Sequence, residues 1–137
     1  MVYYALIDKK EDYFNVSFPQ FQKINTFGET IEEAIYNAEE VLNGCIESDF
    51  ERGFEIPEPQ KFEGKDYHKI SIRPHIEIAL QLRKIRGKRS QIELAKELGI
   101  SYQAYQRLEN PRRCNPTIKT LEKIAKVFKK DLEIAIR

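Results

Sequence analysis

Three carboxylates, Asp8, Glu11 and Asp12, fall close together near the start of the chain and raise the chemistry of a metal-dependent nuclease. That chemistry needs several acidic side chains converging on two metal ions. No second acidic cluster stands inside a strand-like segment to complete the pair, so the trio reads as a solvated turn and the chain as a non-enzyme. Cys45 and Cys114 each lack a second cysteine at metal-ligand spacing, and His68 and His75 have no carboxylate pattern around them. No metal and no cofactor are expected. The cysteines read as reduced thiols, Cys45 partly buried on a helix and Cys114 in a loop. Another set of side chains has more to offer: Tyr102, Gln103, Gln106 and Arg107, directly after Ser101. Glutamine can pair bidentately with adenine, and arginine with guanine, at base edges in the major groove of DNA. That is recognition chemistry, with no bond made or broken.

Such side chains need a helix that can enter a groove. Ser90 opens a helix, and Glu93 three residues on completes a capping box. Leu94 and Leu98 face a core, and Ala95 is small enough for a second helix to cross closely. Gly99 supplies the left-handed conformation that ends the helix, and Ile100 tucks under the turn. Ser101 then caps Tyr102–Leu108. Two short helices joined this way form a helix-turn-helix unit, and from about Pro74 onward the chain reads as that domain. Before it, His75–Arg86 reads as an amphipathic basic helix. Helical phase sends Tyr105 and Leu108 inward and leaves Tyr102, Gln103, Gln106 and Arg107 outside. The first residues of a recognition helix reach base edges most often, so Tyr102, Gln103 and Arg107 are the foremost candidates. Phosphate contacts are expected from Ser90 and Gln91 at one helix start, Ser101 at the next, Arg112 and Arg113 in the following loop, and Lys119 beyond it.

The charge distribution separates this region from the rest. Residues 1–69 carry seven Lys/Arg against fifteen Asp/Glu, a net −8, whereas residues 70–137 carry sixteen against seven, a net +9. A total of 137 residues fits two small domains, divided here as 1–69, with a linker from about residue 54, and 70–137. The basic half suits a polyanion and the acidic half a basic protein. No apolar run approaches the roughly 20 residues of a membrane span. The first residues, Met1–Asp8, read as a strand and not a signal peptide, which points to the cytoplasm.

In the acidic half, Val2–Asp8 and Tyr13–Phe18 are strand-like and joined by a charged turn, with Phe14, Val16 and Phe18 on one face. Pro19 stops the second strand, Lys23–Thr26 is a third, and Gly28 marks the next turn. Thr30 and Glu33 form a capping box for a helix with an apolar stripe of Ile31, Ala34, Ile35, Ala38, Leu42, Cys45 and Ile46, ending before Gly53. Ile56-Pro57-Glu58-Pro59 is stiff and extended, and His68–Ile72 alternates like a further strand. The expected fold class is α+β: a small sheet with one helix across it, followed by an all-α domain.

The order Tyr4-x-Leu6, Phe14-x-Val16-x-Phe18-Pro19, Thr26-x-Gly28-x-Thr30-x-x-Glu33-Ala34-x-x-Asn37-Ala38 and Gly53-x-x-Ile56-Pro57-x-Pro59 resembles the HicB antitoxin family over about residues 3–60. Gln20–Ile24 departs from the Pro-Gly-Cys segment usual there. The resemblance implies a partial RNase H-like fold that binds a small basic HicA-like ribonuclease toxin. Residues 76–128, through Arg107-Leu108-Glu109-Asn110-Pro111, Asn115-Pro116-Thr117 and Leu121-x-x-Ile124-Ala125-x-x-Phe128, resemble the Cro/repressor (XRE) type of helix-turn-helix domain. Together the two imply a type II antitoxin that also represses its own operon through operator DNA, as a homodimer or higher oligomer joined through the C-terminal domain. The competing reading is a free-standing XRE-family regulator with a ligand-sensing or oligomerising N-terminal domain. At the end of the chain, Leu132, Ile134 and Ile136 alternate with Glu133, Ala135 and Arg137, which predicts a short terminal strand. Two pairing partners stand open to it: its copy in a second subunit, or the strand near Ile70–Ile72.

Overall fold

The computed structural model describes residues 1–137, and the chain divides into two compact units, Met1–Pro74 and His75–Arg137. The first holds four strands and a helix: β1 (Val2–Lys9), β2 (Phe14–Phe18), β3 (Phe21–Gly28), α1 (Ile31–Glu51) and β4 (Tyr67–Ser71). All pairings are antiparallel, in the order β3-β2-β1-β4. Alternation decides the faces. Tyr3, Ala5 and Ile7 of β1 are buried together with Val16, Phe18, Phe21, Ile24 and Ile70, and α1 covers them with Ala34, Ala38, Leu42 and Ile46. The third strand is longer than Lys23–Thr26, because Phe21 and Gly28 also pair with β2. The strand expected over His68–Ile72 is β4, and it closes onto β1 with Tyr3 opposite Ile70.

Two close approaches fix α1 on the sheet. A Cβ at Gly28 would lie 2.3 Å from the Ala34 backbone nitrogen, so only glycine lets the end of β3 come this near the first turn of the helix. The Thr30 hydroxyl caps that turn by accepting from Glu33 N at 3.1 Å. Farther along, Asn43 is fully buried. Its amide donates to Glu39 O (2.8 Å) and Ser71 O (3.2 Å), and its carbonyl accepts from Arg73 N (2.8 Å), so a buried polar group is satisfied and ties α1 to the end of β4. Residues 54–66 have no regular structure but are held to the sheet. The Tyr3 hydroxyl donates to Pro57 O, Gln20 Nε2 donates to Glu58 O (2.6 Å), and Gln60 N donates to Gln20 Oε1 (3.0 Å).

The second unit holds α2 (Pro74–Arg86, starting at the last residue of the first unit), α3 (Gln91–Leu98), α4 (Tyr102–Leu108) and α5 (Ile118–Val127). Its core gathers Leu82, Leu94, Ala95, Leu98, Tyr105, Leu108 and Ile124, with Ile78, Ile100, Leu121, Val127 and Phe128 packed around them. The terminal strand does not form in the single chain. Residues 130–137 are irregular, and Leu132, Ile134 and Ile136 are exposed. A strand needs a second one to satisfy its backbone groups, and the alternation of Leu132, Ile134 and Ile136 has no ladder to join here.

Candidate nucleic-acid interface

The interface builds up from three hydroxyl caps and one glycine. Ser90 Oγ accepts from Glu93 N (3.0 Å) at the start of α3, Ser101 Oγ from Ala104 N (3.0 Å) at the start of α4, and Thr117 Oγ1 from Thr120 N (3.1 Å) at the start of α5. Each cap satisfies an amide that a first helical turn leaves open. Gly99, with φ +71°, turns the chain between α3 and α4, and Ile100 N returns to Ala95 O at 3.0 Å. That left-handed turn sets the angle between the two helices. α3 packs against both α4 and α5, which makes α3 the element that aims the others.

Burial along α4 follows the expected phase. Tyr105 is fully buried and Leu108 buried, whereas Ser101, Tyr102, Gln103, Gln106 and Arg107 are exposed. Tyr102, at 40% exposure, is a large ring left open at the first turn of the helix. An outer face of phenol, amides and a guanidinium over an apolar inner face is one that can dock in a groove without unfolding anything. Arg112 and Arg113 are exposed in the loop after α4. There Asn110 organises the backbone: its Oδ1 accepts from Arg112 N (3.0 Å), and its carbonyl oxygen accepts from Arg113 N (3.0 Å) and Cys114 N (2.8 Å). Lys119 is exposed in the first turn of α5. Cys114 lies in that loop yet is buried, which pushes its thiol up to about 11; Cys45 on α1 is partly buried and reaches about 11 as well, by burial first and Asp49 second. Both thiols are free, and no group of three His, Cys, Asp or Glu side chains is placed to hold a metal ion.

A pair of residues outside the candidate set locks the frame. Glu109, at the C-terminal cap of α4, is buried and forms a two-pronged salt bridge with Arg86 of α2: Nε to Oε2 at 2.7 Å and Nη2 to Oε1 at 3.0 Å. Arg86 Nη1 also donates to Arg89 O (2.8 Å). The hydrogen bond to Glu109, ahead of the opposing cost of burial, raises the Arg86 guanidinium above its ordinary range. Gln91 Nε2 donates to the same carboxylate at 3.3 Å, so a candidate phosphate contact has its side chain oriented by Glu109. The Tyr105 hydroxyl, buried without a hydrogen-bond acceptor of good geometry, has its pKa raised mainly by burial and then by Glu109. Arg89 is held in an ion pair with Glu97 and lies over the Phe128 ring, 5.9 Å from its centroid. In the sequence Arg86 is one more basic residue of an amphipathic helix. Glu109 stands among polar residues, Arg107 and Asn110, so nothing local in the sequence marks it as the buried partner of Arg86.

Comparison with known proteins follows the same division. Residues 3–73 match the family described as HicB-like antitoxin of bacterial toxin-antitoxin systems, and residues 80–134 match a helix-turn-helix family. The chain is 30% identical over 127 residues to Antitoxin HicB 1 of Photorhabdus laumondii subsp. laumondii, an alignment covering 93% of this chain and 81% of that one. Among solved structures, the antitoxin HicB of Burkholderia pseudomallei aligns with a TM-score of 0.46 at 17% identity, covering 77% of this chain and 90% of that one.

Proposed function

The chain belongs to the HicB-like antitoxin family of bacterial toxin-antitoxin systems, and on that premise we propose that it neutralises a small basic HicA-like ribonuclease by direct binding and represses its own operon by binding operator DNA. The first unit, Met1–Pro74, carries eight Lys/Arg against fifteen Asp/Glu, a net −7, and covers the cationic surface with which the toxin holds RNA. The second unit, His75–Arg137, carries fifteen against seven, a net +8, and binds the double helix. Inhibition is by occupation; the antitoxin itself performs no chemistry.

The observation that carries the DNA-binding half is the sidedness of α4, buried at Tyr105 and Leu108 and exposed at Tyr102, Gln103, Gln106 and Arg107. In this reading Tyr102, Gln103 and Arg107 meet base edges, with Gln106 beside them, while Ser90, Gln91, Ser101, Arg112, Arg113 and Lys119 meet phosphates. Two copies join through the residues after α5, whose alternating Leu132, Ile134 and Ile136 stand exposed and ready to pair across a two-fold axis. A two-fold dimer presents two α4 helices to half-sites about 34 Å apart. The test is a footprint on the DNA upstream of the gene together with co-purification of the small basic protein encoded beside it. Two protected half-sites on one face of the helix and a stable complex are expected. A chain that holds neither the operator nor the neighbouring protein overturns the reading.

A further inference from the structure

α1 is a 21-residue helix with an unusual charge pattern. It carries Glu32, Glu33, Glu39, Glu40, Glu47, Asp49 and Glu51 and no lysine or arginine. Its last turn is acidic, against the helix dipole, which favours cations at that end. In the middle of its outer side stands Tyr36, the most exposed large hydrophobic side chain of the first unit at 64%. The four positions that neighbour Tyr36 on a helix surface, three and four residues to either side, are Glu32, Glu33, Glu39 and Glu40. Glu40 is paired with Arg73; Glu32, Glu33 and Glu39 have no ion pair. Beside this turn, Asn37 Nδ2 donates to Phe27 O (2.8 Å), which sets the helix against the edge strand β3, where Phe27 is itself 57% exposed.

An exposed ring inside a ring of carboxylates contributes little to the fold. It fits the anatomy of a binding hot spot: an aromatic anchor with a polar rim. Its charge selects the occupant. A guanidinium or ammonium group stacked on the Tyr36 ring gains from the ring face, and the surrounding carboxylates pair with its neighbours. We infer that the outer face of α1, centred on Tyr36, is where the first unit seats the toxin, through arginine and lysine side chains of that protein. This rests on the antitoxin reading above. The second unit of another copy is also cationic, but in that reading its positive face is occupied by phosphates.

The experiment uses the full-length chain and the purified toxin encoded beside it, with affinity measured by calorimetry and oligomeric state by light scattering. Three variants are compared: Tyr36→Ala, Tyr36→Phe, and the triple change Glu32→Lys, Glu33→Lys, Glu39→Lys. These residues lie on the surface, so an unchanged far-ultraviolet spectrum confirms the fold. Tyr36→Ala should weaken toxin binding at least tenfold, Tyr36→Phe less than threefold, and the triple change at least a hundredfold. Operator binding should stay unchanged in all three. If the unaltered chain binds the toxin tightly and Tyr36→Ala and the triple variant bind it within twofold as well, the face assignment is wrong while the antitoxin reading stands. If the unaltered chain does not bind the toxin, both fall together. If toxin binding holds but the triple variant dissociates an oligomer of the free chain, the face belongs to a second copy and the inference is overturned.

Discussion

Removing the Glu109 carboxylate should loosen the whole second unit. Glu109→Ala leaves the Arg86 guanidinium, whose side chain is 19% exposed, with Arg89 O as its remaining acceptor among the bonds described above. Breaking one side of a buried ion pair costs about 3–5 kcal/mol, and the partial exposure of Arg86 places this one near the lower end, about 3 kcal/mol. A 63-residue unit is stabilised by roughly 3–9 kcal/mol in total, so the loss is a third or more of what there is. At about 4–8 °C per kcal/mol for a unit of this size, the melting transition of the helical signal should fall by roughly 12–24 °C. The double change Arg86→Met with Glu109→Ala removes both charges and should be more stable than Glu109→Ala alone, with a coupling energy of about 2 kcal/mol. Calorimetry on the four proteins of the cycle measures this. A loss below about 1 kcal/mol for Glu109→Ala, or strictly additive singles, would refute the claim that this pair locks α2 to the end of α4. A second readout follows from Gln91: because its amide is held by the same carboxylate, operator affinity measured well below the melting point should fall even while the variant is folded.

The remaining predictions concern each unit in turn. Arg107→Ala should reduce discrimination between operator and scrambled DNA by about tenfold to a hundredfold, the worth of one bidentate base contact, and leave toxin binding unchanged; gel-shift titrations on both DNAs check it. Arg113→Ala or Lys119→Ala should weaken binding to both DNAs alike and lower the slope of log affinity against log salt by about 0.9 each. Gly28→Ala should destabilise the first unit by roughly 2 kcal/mol or more in urea unfolding, since the new methyl meets the Ala34 backbone at 2.3 Å. Burial pushes the Tyr3 hydroxyl up to about 12 from 10.0, with Glu58 adding to it. Its contribution to stability is therefore complete below pH 10 and lost as pH rises through 12, about 3 kcal/mol in all. Cys45, Cys114 and Tyr105 are raised too, so the difference between the unaltered chain and Tyr3→Phe isolates the Tyr3 share; parallel stability curves from pH 9 to 12 would contradict it.

Local signals in the sequence were strong wherever backbone chemistry dictates the answer. Ser90, Ser101 and Thr30 cap the helices they were expected to cap, and Gly99 takes the left-handed turn. The inward phase of Tyr105 and Leu108 follows from the 3.6-residue period alone. What could not be read were the long-range partners of polar residues. Asn43 looks like a solvated side chain on a helix, and only the end of β4, nearly thirty residues on, makes it a buried clamp. Arg86 and Glu109 are separated by two intervening helices, so their pairing is a product of packing. Alternation of Leu132, Ile134 and Ile136 names a strand preference but not the second strand that a ladder requires. For the candidate interface, the exposed residues of α4 were legible because their neighbours on the helix had to be core; the bond that orients Gln91 was not.

The stretch from Phe54 to Asp66 has a consequence for how such a protein would be dismantled. It is the covalent bridge between α1 and β4, has no helix or sheet of its own, and is held down at Pro57, Glu58 and Gln60. Proteases attack segments that can peel away locally, and the rate then tracks the free energy of that small opening, well short of global unfolding. A single nick here would leave β1–β3 and α1 covalently severed from β4 and everything after it. Such a nick would cut the only covalent link from those elements to the second unit, leaving the β1–β4 ladder and the Asn43 clamp to hold β4, and everything after it, to the sheet.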